Sequence, residues 1–149
     1  MDAIIIAFII VAAAAAFIVF RSSGLFGADE TVDIEYVIYI SNQRSEIIEH
    51  LVPGGNVIEG SKKYIIGEAV DVSTEPYTEE VCSYVDNKLV ISEVPGYYNA
   101  FITVRAKAVL GVDGYYINGY RINTGAYIYV RLPDFCGTGY VTGVETITP

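Results

Sequence analysis

Few side chains in this 149-residue chain have the types and spacing that chemistry requires. His50 is the only histidine. No serine near it has the sharp Gly-x-Ser-x-Gly context, so a histidine-based triad lacks its nucleophile. On a short helix, His50 reads as a surface or boundary residue. Cys82 and Cys136 lie far apart, and neither has a Cys or His at the short spacing of a zinc site. They form either one disulfide, in an oxidising compartment, or two separate buried thiols. Glu79-Glu80 lacks the Asp-x-Asp-x-Asp-Gly spacing of a calcium loop and reads as solvated. Gly54-Gly55 and Gly137-Thr138-Gly139 lack the lysine and the helix that a phosphate cradle needs. The expectation is a protein with no catalytic residue, no metal and no cofactor.

The compositional oddity is tyrosine, present thirteen times. Several tyrosines alternate along apparent strands, as in Tyr127 and Tyr129, or stand together, as in Tyr97-Tyr98 and Tyr115-Tyr116. Tyrosine offers rigid amphipathic area suited to sugar or protein surfaces. It also simply favours strand faces. If a ligand or partner surface exists, its candidates are Tyr97, Tyr98, Tyr115 and Tyr116.

The elements that would hold these residues fall into two unlike parts. From Ala3 to Phe20 there is no polar side chain, no Gly and no Pro. As a helix this run is roughly 27 Å long, close to the ~30 Å hydrocarbon core of a bilayer. Residues 1–21 are therefore expected to form a transmembrane anchor helix, meeting the lipid through residues 3–20. A cleaved signal would carry a basic n-region and a small-residue cleavage site, which Met1-Asp2 and Phe17-Ile18-Val19-Phe20 do not supply. The run Ala12–Ala16 would let helix backbones approach closely, which keeps self-association open, although alanine is also tolerated as filler. Arg21 is the only basic residue near either end, so orientation is weakly specified. The bare N-terminal flank points to a start upstream of Met1.

Residues 22–31 read as a small-residue linker, and residues 32–149 as one β-rich domain of ordinary size. Val32, Ile34, Tyr36, Ile38 and Ile40 alternate with Asp33 and Glu35 as in a half-buried strand. Ile47, Ile48 and Leu51 have helical spacing over two turns, stopped by Pro53-Gly54-Gly55. Two strands then flank a turn centred on Gly60, with Lys62 and Lys63 at its tip. Ser73 to Asn87 reads as a variable polar region, followed by a strand from Lys88 to Val94. Pro95-Gly96 reads as a turn, and Tyr98–Leu110 as the longest strand, with Ile102, Val104, Ala106 and Ala108 inward. Asn118-Gly119 is the strongest hairpin signal, and a final strand covers Tyr140–Ile147. The weak parallel of Ile58-Glu59-Gly60…Gly67 with Ile117-Asn118-Gly119…Gly125 suggests two related units. The fold expected is mainly β: a small barrel or sandwich-like domain with one short helix.

The net charge of −9 supplies no basic footprint for nucleic acid and none for anionic headgroups. An acidic surface is in itself solubilising.

The stretches Gly67-Glu68-Ala69-Val70-Asp71-Val72, Pro95-Gly96-Tyr97-Tyr98 running into Phe101-Ile102-Thr103-Val104-Arg105, and Ile117 to Gly125 resemble a bacterial envelope family. It is catalogued only as domain of unknown function 4330. The resemblance covers the chain from the apolar segment to about Val144 and rests on glycine and apolar positions. It implies one N-terminal transmembrane helix followed by a domain of this kind, many members coming from Gram-positive bacteria. It carries over no catalytic residue. Members usually begin with a basic cytoplasmic segment, whereas only Met1 and Asp2 precede the apolar run here.

The function expected is a single-pass cell-membrane protein whose β domain is extracytoplasmic. That domain would act as a non-enzymatic binding or scaffolding module. Its partners would be envelope proteins or machinery handling surface polysaccharide, as the resemblance implies. The alternative is a pilin-like filament subunit whose helix becomes the polymer core, although the early Glu of type IV pilins is missing.

Overall fold

The computed structural model describes residues 30–147. The expected anchor helix over residues 1–21, and nearly all of the linker over 22–31, lie outside the described residues. Among the described residues no helix is long and apolar enough to cross a membrane.

Strand β1 (Glu30–Arg44) forms as its alternation requires: Ile34, Tyr36, Ile38 and Ile40 are buried, and the residues between them are more exposed. One helical turn follows, α1 (Ser45–Ile48). The two turns expected from Ile47, Ile48 and Leu51 shrink to one. Beyond the Glu49-to-Ser45 bond, the next bonds, His50 to Ile47 and Leu51 to Ile48, are of the tighter i to i−3 type. Leu51 still enters the core, whereas Ile47 is exposed.

Then come β2 (Asn56–Glu59), β3 (Ile65–Ser83), β4 (Lys88–Gly111), β5 (Gly114–Ile117), β6 (Tyr120–Ile122), β7 (Tyr127–Arg131) and β8 (Cys136–Thr146). The turns sit where glycine and asparagine place them. Asn118 and Gly119, both at positive φ, join β5 to β6, the backbone signature of a two-residue I′ hairpin.

These strands make one eight-stranded sheet in the order β1-β8-β7-β2-β3-β4-β5-β6. Every strand pair with a defined register is antiparallel. Strand β1 also pairs with β4. Glu35 meets Arg105, Tyr39 packs on Phe101, and the Asn42 amide donates to Asn99. The numbers climb on one strand as they fall on the other, so this seam is antiparallel too. The expected barrel or sandwich is thereby corrected. Among the described residues there is one sheet and no second one; the β1–β4 seam brings it round on itself while β5 and β6 run on past that seam, so the structure is a single coiled sheet and neither a sandwich nor a simple barrel.

The core lies on its inner face, built from Ile34, Tyr36, Ile38 and Ile40 of β1 with Val57, Ile66, Ile102, Val104, Ile122, Ile128, Val130 and Val141 of the other strands. The Tyr36 hydroxyl, deep in this core, donates to the Ile66 carbonyl at 2.7 Å. Asn99, also buried, ties three strands: its Oδ1 accepts from the Asn42 amide and its Nδ2 donates to Glu75.

A second correction concerns Ser73 to Asn87. The stretch up to Ser83 is strand, paired with β4 from Ser73 opposite Phe101 to Ser83 opposite Lys88 and interrupted at Tyr77. Its polarity reflects exposure on both faces and not irregular backbone. Pro95-Gly96 does not end a strand either. Between the pairs Pro76–Tyr98 and Thr78–Glu93, one residue of β3 faces four of β4, so Pro95 and Gly96 sit in a large bulge, with Gly96 at φ +80°. Gly137-Thr138-Gly139, which precedes the final strand expected over Tyr140–Ile147, lies inside β8. A Cβ on Gly139 would stand 2.4 Å from the Tyr39 carbonyl oxygen, so only glycine lets β8 approach β1 this closely.

Candidate functional site

The turn from β2 to β3 builds one wall of a surface groove. Gly60 is required there: its amide donates to the Tyr129 carbonyl, and a Cβ would fall 1.9 Å from the Tyr129 ring. Glu59 turns its carboxylate back into the turn, one oxygen accepting from the Ser61 amide at 3.0 Å and the other from the Lys62 amide at 2.7 Å. Burial alone would raise its pKa. The amides of Lys62 and Ser61, the Ser61 hydroxyl and the Lys62 charge outweigh that and hold the carboxyl below its usual range. Glu59 therefore fixes the turn that presents Lys62 and Tyr64.

The opposite wall comes from β6 and the loop to β7. The groove is lined by Lys62, Tyr64, Tyr120, Arg121, Asn123 and Thr124, among others, and encloses about 600 Å³. Tyr64 and Tyr120 stand with ring centroids 6.2 Å apart and planes tilted by 45°. Burial, then the nearby Glu59 charge, raises the Tyr120 hydroxyl's pKa, so it remains a neutral donor. Arg121 is aimed by Asp113, whose carboxylate accepts from its guanidinium at 2.8 Å and from the Tyr116 hydroxyl at 2.6 Å. Those two bonds, the Tyr116 one first, lower the Asp113 pKa. Asn123 donates to the Asp113 carbonyl, which fixes the loop. One contact leaves most of the five guanidinium N–H donors of Arg121 free. The groove thus offers two tilted aromatic rings, two cations, an amide and a hydroxyl. It has no adjacent nucleophile and base. Among the described residues no group of three or more His, Cys, Asp or Glu could hold a metal ion.

The four tyrosines singled out from sequence lie in two places. Tyr97 and Tyr98, both half-buried, flank the β4 bulge, Tyr97 beside Arg44. Tyr115 and Tyr116 lie on β5, opposite Ile122 and Arg121. The stretch of β4 from Tyr98 to Val109, which pairs with Tyr116, separates the two groups by on the order of 35 Å. Tyr116 touches the groove's framework through Asp113, and Tyr115 pairs with Ile122 of β6 without lining the groove. The groove tyrosines, Tyr64 and Tyr120, were not among the candidates. Tyr64 lay at the end of a lysine-bearing turn and Tyr120 just past Asn118-Gly119, so the hairpin signals were the clue to their convergence. Tyr127 and Tyr140 pack edge to face on the outer face of β7 and β8.

Cys82 and Cys136 are both free and exposed, with no bridge between them. Cys136 lies 3.2 Å from the Tyr129 hydroxyl. His50 is exposed just past α1.

No curated protein and no solved structure matches this chain. Residues 1–145 match the profile of the family described as "Domain of unknown function (DUF4330)", and the chain belongs to that family.

Proposed function

We propose that this protein is a non-enzymatic binding module of the bacterial cell envelope, held at the membrane by residues 3–20, with the β domain outside the cytoplasm. The apolar run from Ala3 to Phe20 supports the anchor. The groove supports the binding role, and the observation that carries it is the convergence of Tyr64 and Tyr120 with Lys62 and Arg121. Two cations, Lys62 near the Glu59 carboxylate and Arg121 on the Asp113 carboxylate, line the same groove as two aromatic rings, which suits a saccharide bearing carboxylate or phosphate groups. The rings would cover a sugar face, Arg121 and Lys62 would meet the anionic group, and Asn123 and Thr124 would meet hydroxyls. This agrees with a partner in surface-polysaccharide handling.

Calorimetric titration of the full chain in detergent micelles with acidic and neutral oligosaccharides tests the reading. Acidic sugars should bind, neutral ones of equal length should bind about tenfold more weakly, and Tyr120→Ala should remove at least 1 kcal/mol of affinity, roughly one desolvated aromatic contact. No binding of acidic sugars, or binding indifferent to Tyr120→Ala, contradicts it. A pilin-like filament subunit is the second reading, favoured by Ala12–Ala16 alone.

A further inference from the structure

Beyond the β4 bulge, β3 and β4 continue as a two-stranded arm, residues 78–93, that no other described strand joins. Strand β1 ends at Arg44, beside Tyr97, and stops short of it. Among the described residues the arm therefore has two free edges and two open faces. An isolated hairpin of this kind is marginal in water, and a third strand is what ordinarily stabilises it. Its side chains are not those of a solvated arm: Val85 is 92% exposed, Leu89 70% and Ile91 74%, with Val81 and Val90 also exposed. The free edge of β4, Lys88-Leu89-Val90-Ile91-Ser92-Glu93, carries no proline, bulge or inward-pointing charge to block pairing.

We infer that the β4 edge of this arm pairs antiparallel with the same edge of a second copy of the chain, about a two-fold axis through Val90, giving a four-stranded sheet. The choice of occupant follows from self-complementarity. A two-fold axis normal to the sheet sets residues opposite one another on the same face. Centred on Val90, it places Val90 against Val90, Leu89 against Ile91 and Lys88 against Ser92 of the second copy. Leu89 and Ile91 of both copies then form one row of four apolar side chains, on the face that also carries Cys82. Centring on Ile91 instead would set Leu89 against Glu93. On the other free edge, of β3, an axis through Glu79 or through Glu80 sets like charges opposite one another, which is unfavourable, and one through Val81 sets Glu80 against Cys82 and builds no comparable apolar row. The arm lies at the Arg44 end of β1. The pairing does not depend on the groove and stands or falls separately from ligand binding there.

Oxidative cross-linking of the full chain in liposomes tests it. The background is Cys82→Ser with Cys136→Ser, since both native thiols are exposed. Val90→Cys places its thiols directly across the seam, within disulfide reach, whereas Tyr84→Cys at the arm tip is about four residues of strand away on each copy. Val90→Cys should give at least about tenfold more covalent dimer than Tyr84→Cys. Adding Leu89→Lys with Ile91→Lys should reduce that yield at least about tenfold with strand circular dichroism unchanged, because four cations then line the seam. Equal yields at positions 90 and 84, or a yield indifferent to the lysine pair, overturns the inference. Cross-linking of Val90→Cys to a different protein in intact cells, with no dimer, overturns it in favour of another partner.

Discussion

At the residue scale the most consequential polar group is the Glu59 carboxylate, which is buried, charged and satisfied by two backbone amides. Glu59→Gln should cost about 1–2 kcal/mol at neutral pH, measured by urea unfolding, because hydrogen bonds to a charged acceptor outweigh neutral ones. The folded-state pKa of Glu59 is lowered, so its contribution is complete above the ordinary carboxylate value of 4.5 and is lost as pH falls through the folded value. The gap between wild type and Glu59→Gln should therefore close in acid. Tyr36 works in the opposite sense. Burial, and then Tyr120, raises its pKa well above the usual 10.0, so the unfolded chain ionises first and stability falls as pH climbs past that value. Tyr36→Phe should lose about 1 kcal/mol at pH 7, from the unpaired Ile66 carbonyl, and unfold less steeply in alkali. Neither role was legible in sequence. Tyr36 could be placed inward from its alternation with Asp33 and Glu35, but its hydroxyl partner lies thirty residues away. Glu59 sat beside a turn glycine, where an acidic residue is ordinarily exposed.

At the element scale, local pattern read well wherever one strand face was buried. The alternation of β1, the inward set of β4 and the Asn118-Gly119 turn were all legible because burial and φ preference act on neighbouring residues. The arm was not, because a ribbon exposed on both faces has no alternation to show, and Ser73–Asn87 then resembles a polar loop. The continuous β8 was missed for a related reason: Gly137 and Gly139 look like punctuation, yet they are strand residues that admit a close neighbour. Gly139→Ala should therefore destabilise by about 2 kcal/mol or more in thermal unfolding, since the clash is with the Tyr39 backbone and no rotamer relieves it. The weak repeat does not mark equivalent units: Gly67 lies within β3, whereas Gly125 turns the chain into β7. The groove escaped notice because its walls lie far apart in sequence, and only the coiling of the sheet brings Lys62 and Tyr64 to Tyr120 and Arg121.

At the scale of the whole molecule, an acidic single-sheet domain follows an apolar run of membrane-spanning length, and the parts divide the labour. The run from Ala3 to Phe20 would fix location, the groove would select a ligand, and the arm would join copies. Besides the apolar core, long-range polar ties such as those of Asn99 hold neighbouring strands together. Asn99→Ala should accordingly detach β1 from β3 and β4 locally, seen as faster amide exchange at Asn42 and its neighbours. The claim on which the account rests is that the chain is held in a bilayer and not in a filament. Its most direct measurement follows the full chain through fractionation, with shearing of the cell surface, an alkaline carbonate wash of the membranes, and then detergent. The protein should remain with the washed membranes and leave them only in detergent, with none in the sheared material. Recovery in sheared polymers, or release by carbonate alone, would contradict the account.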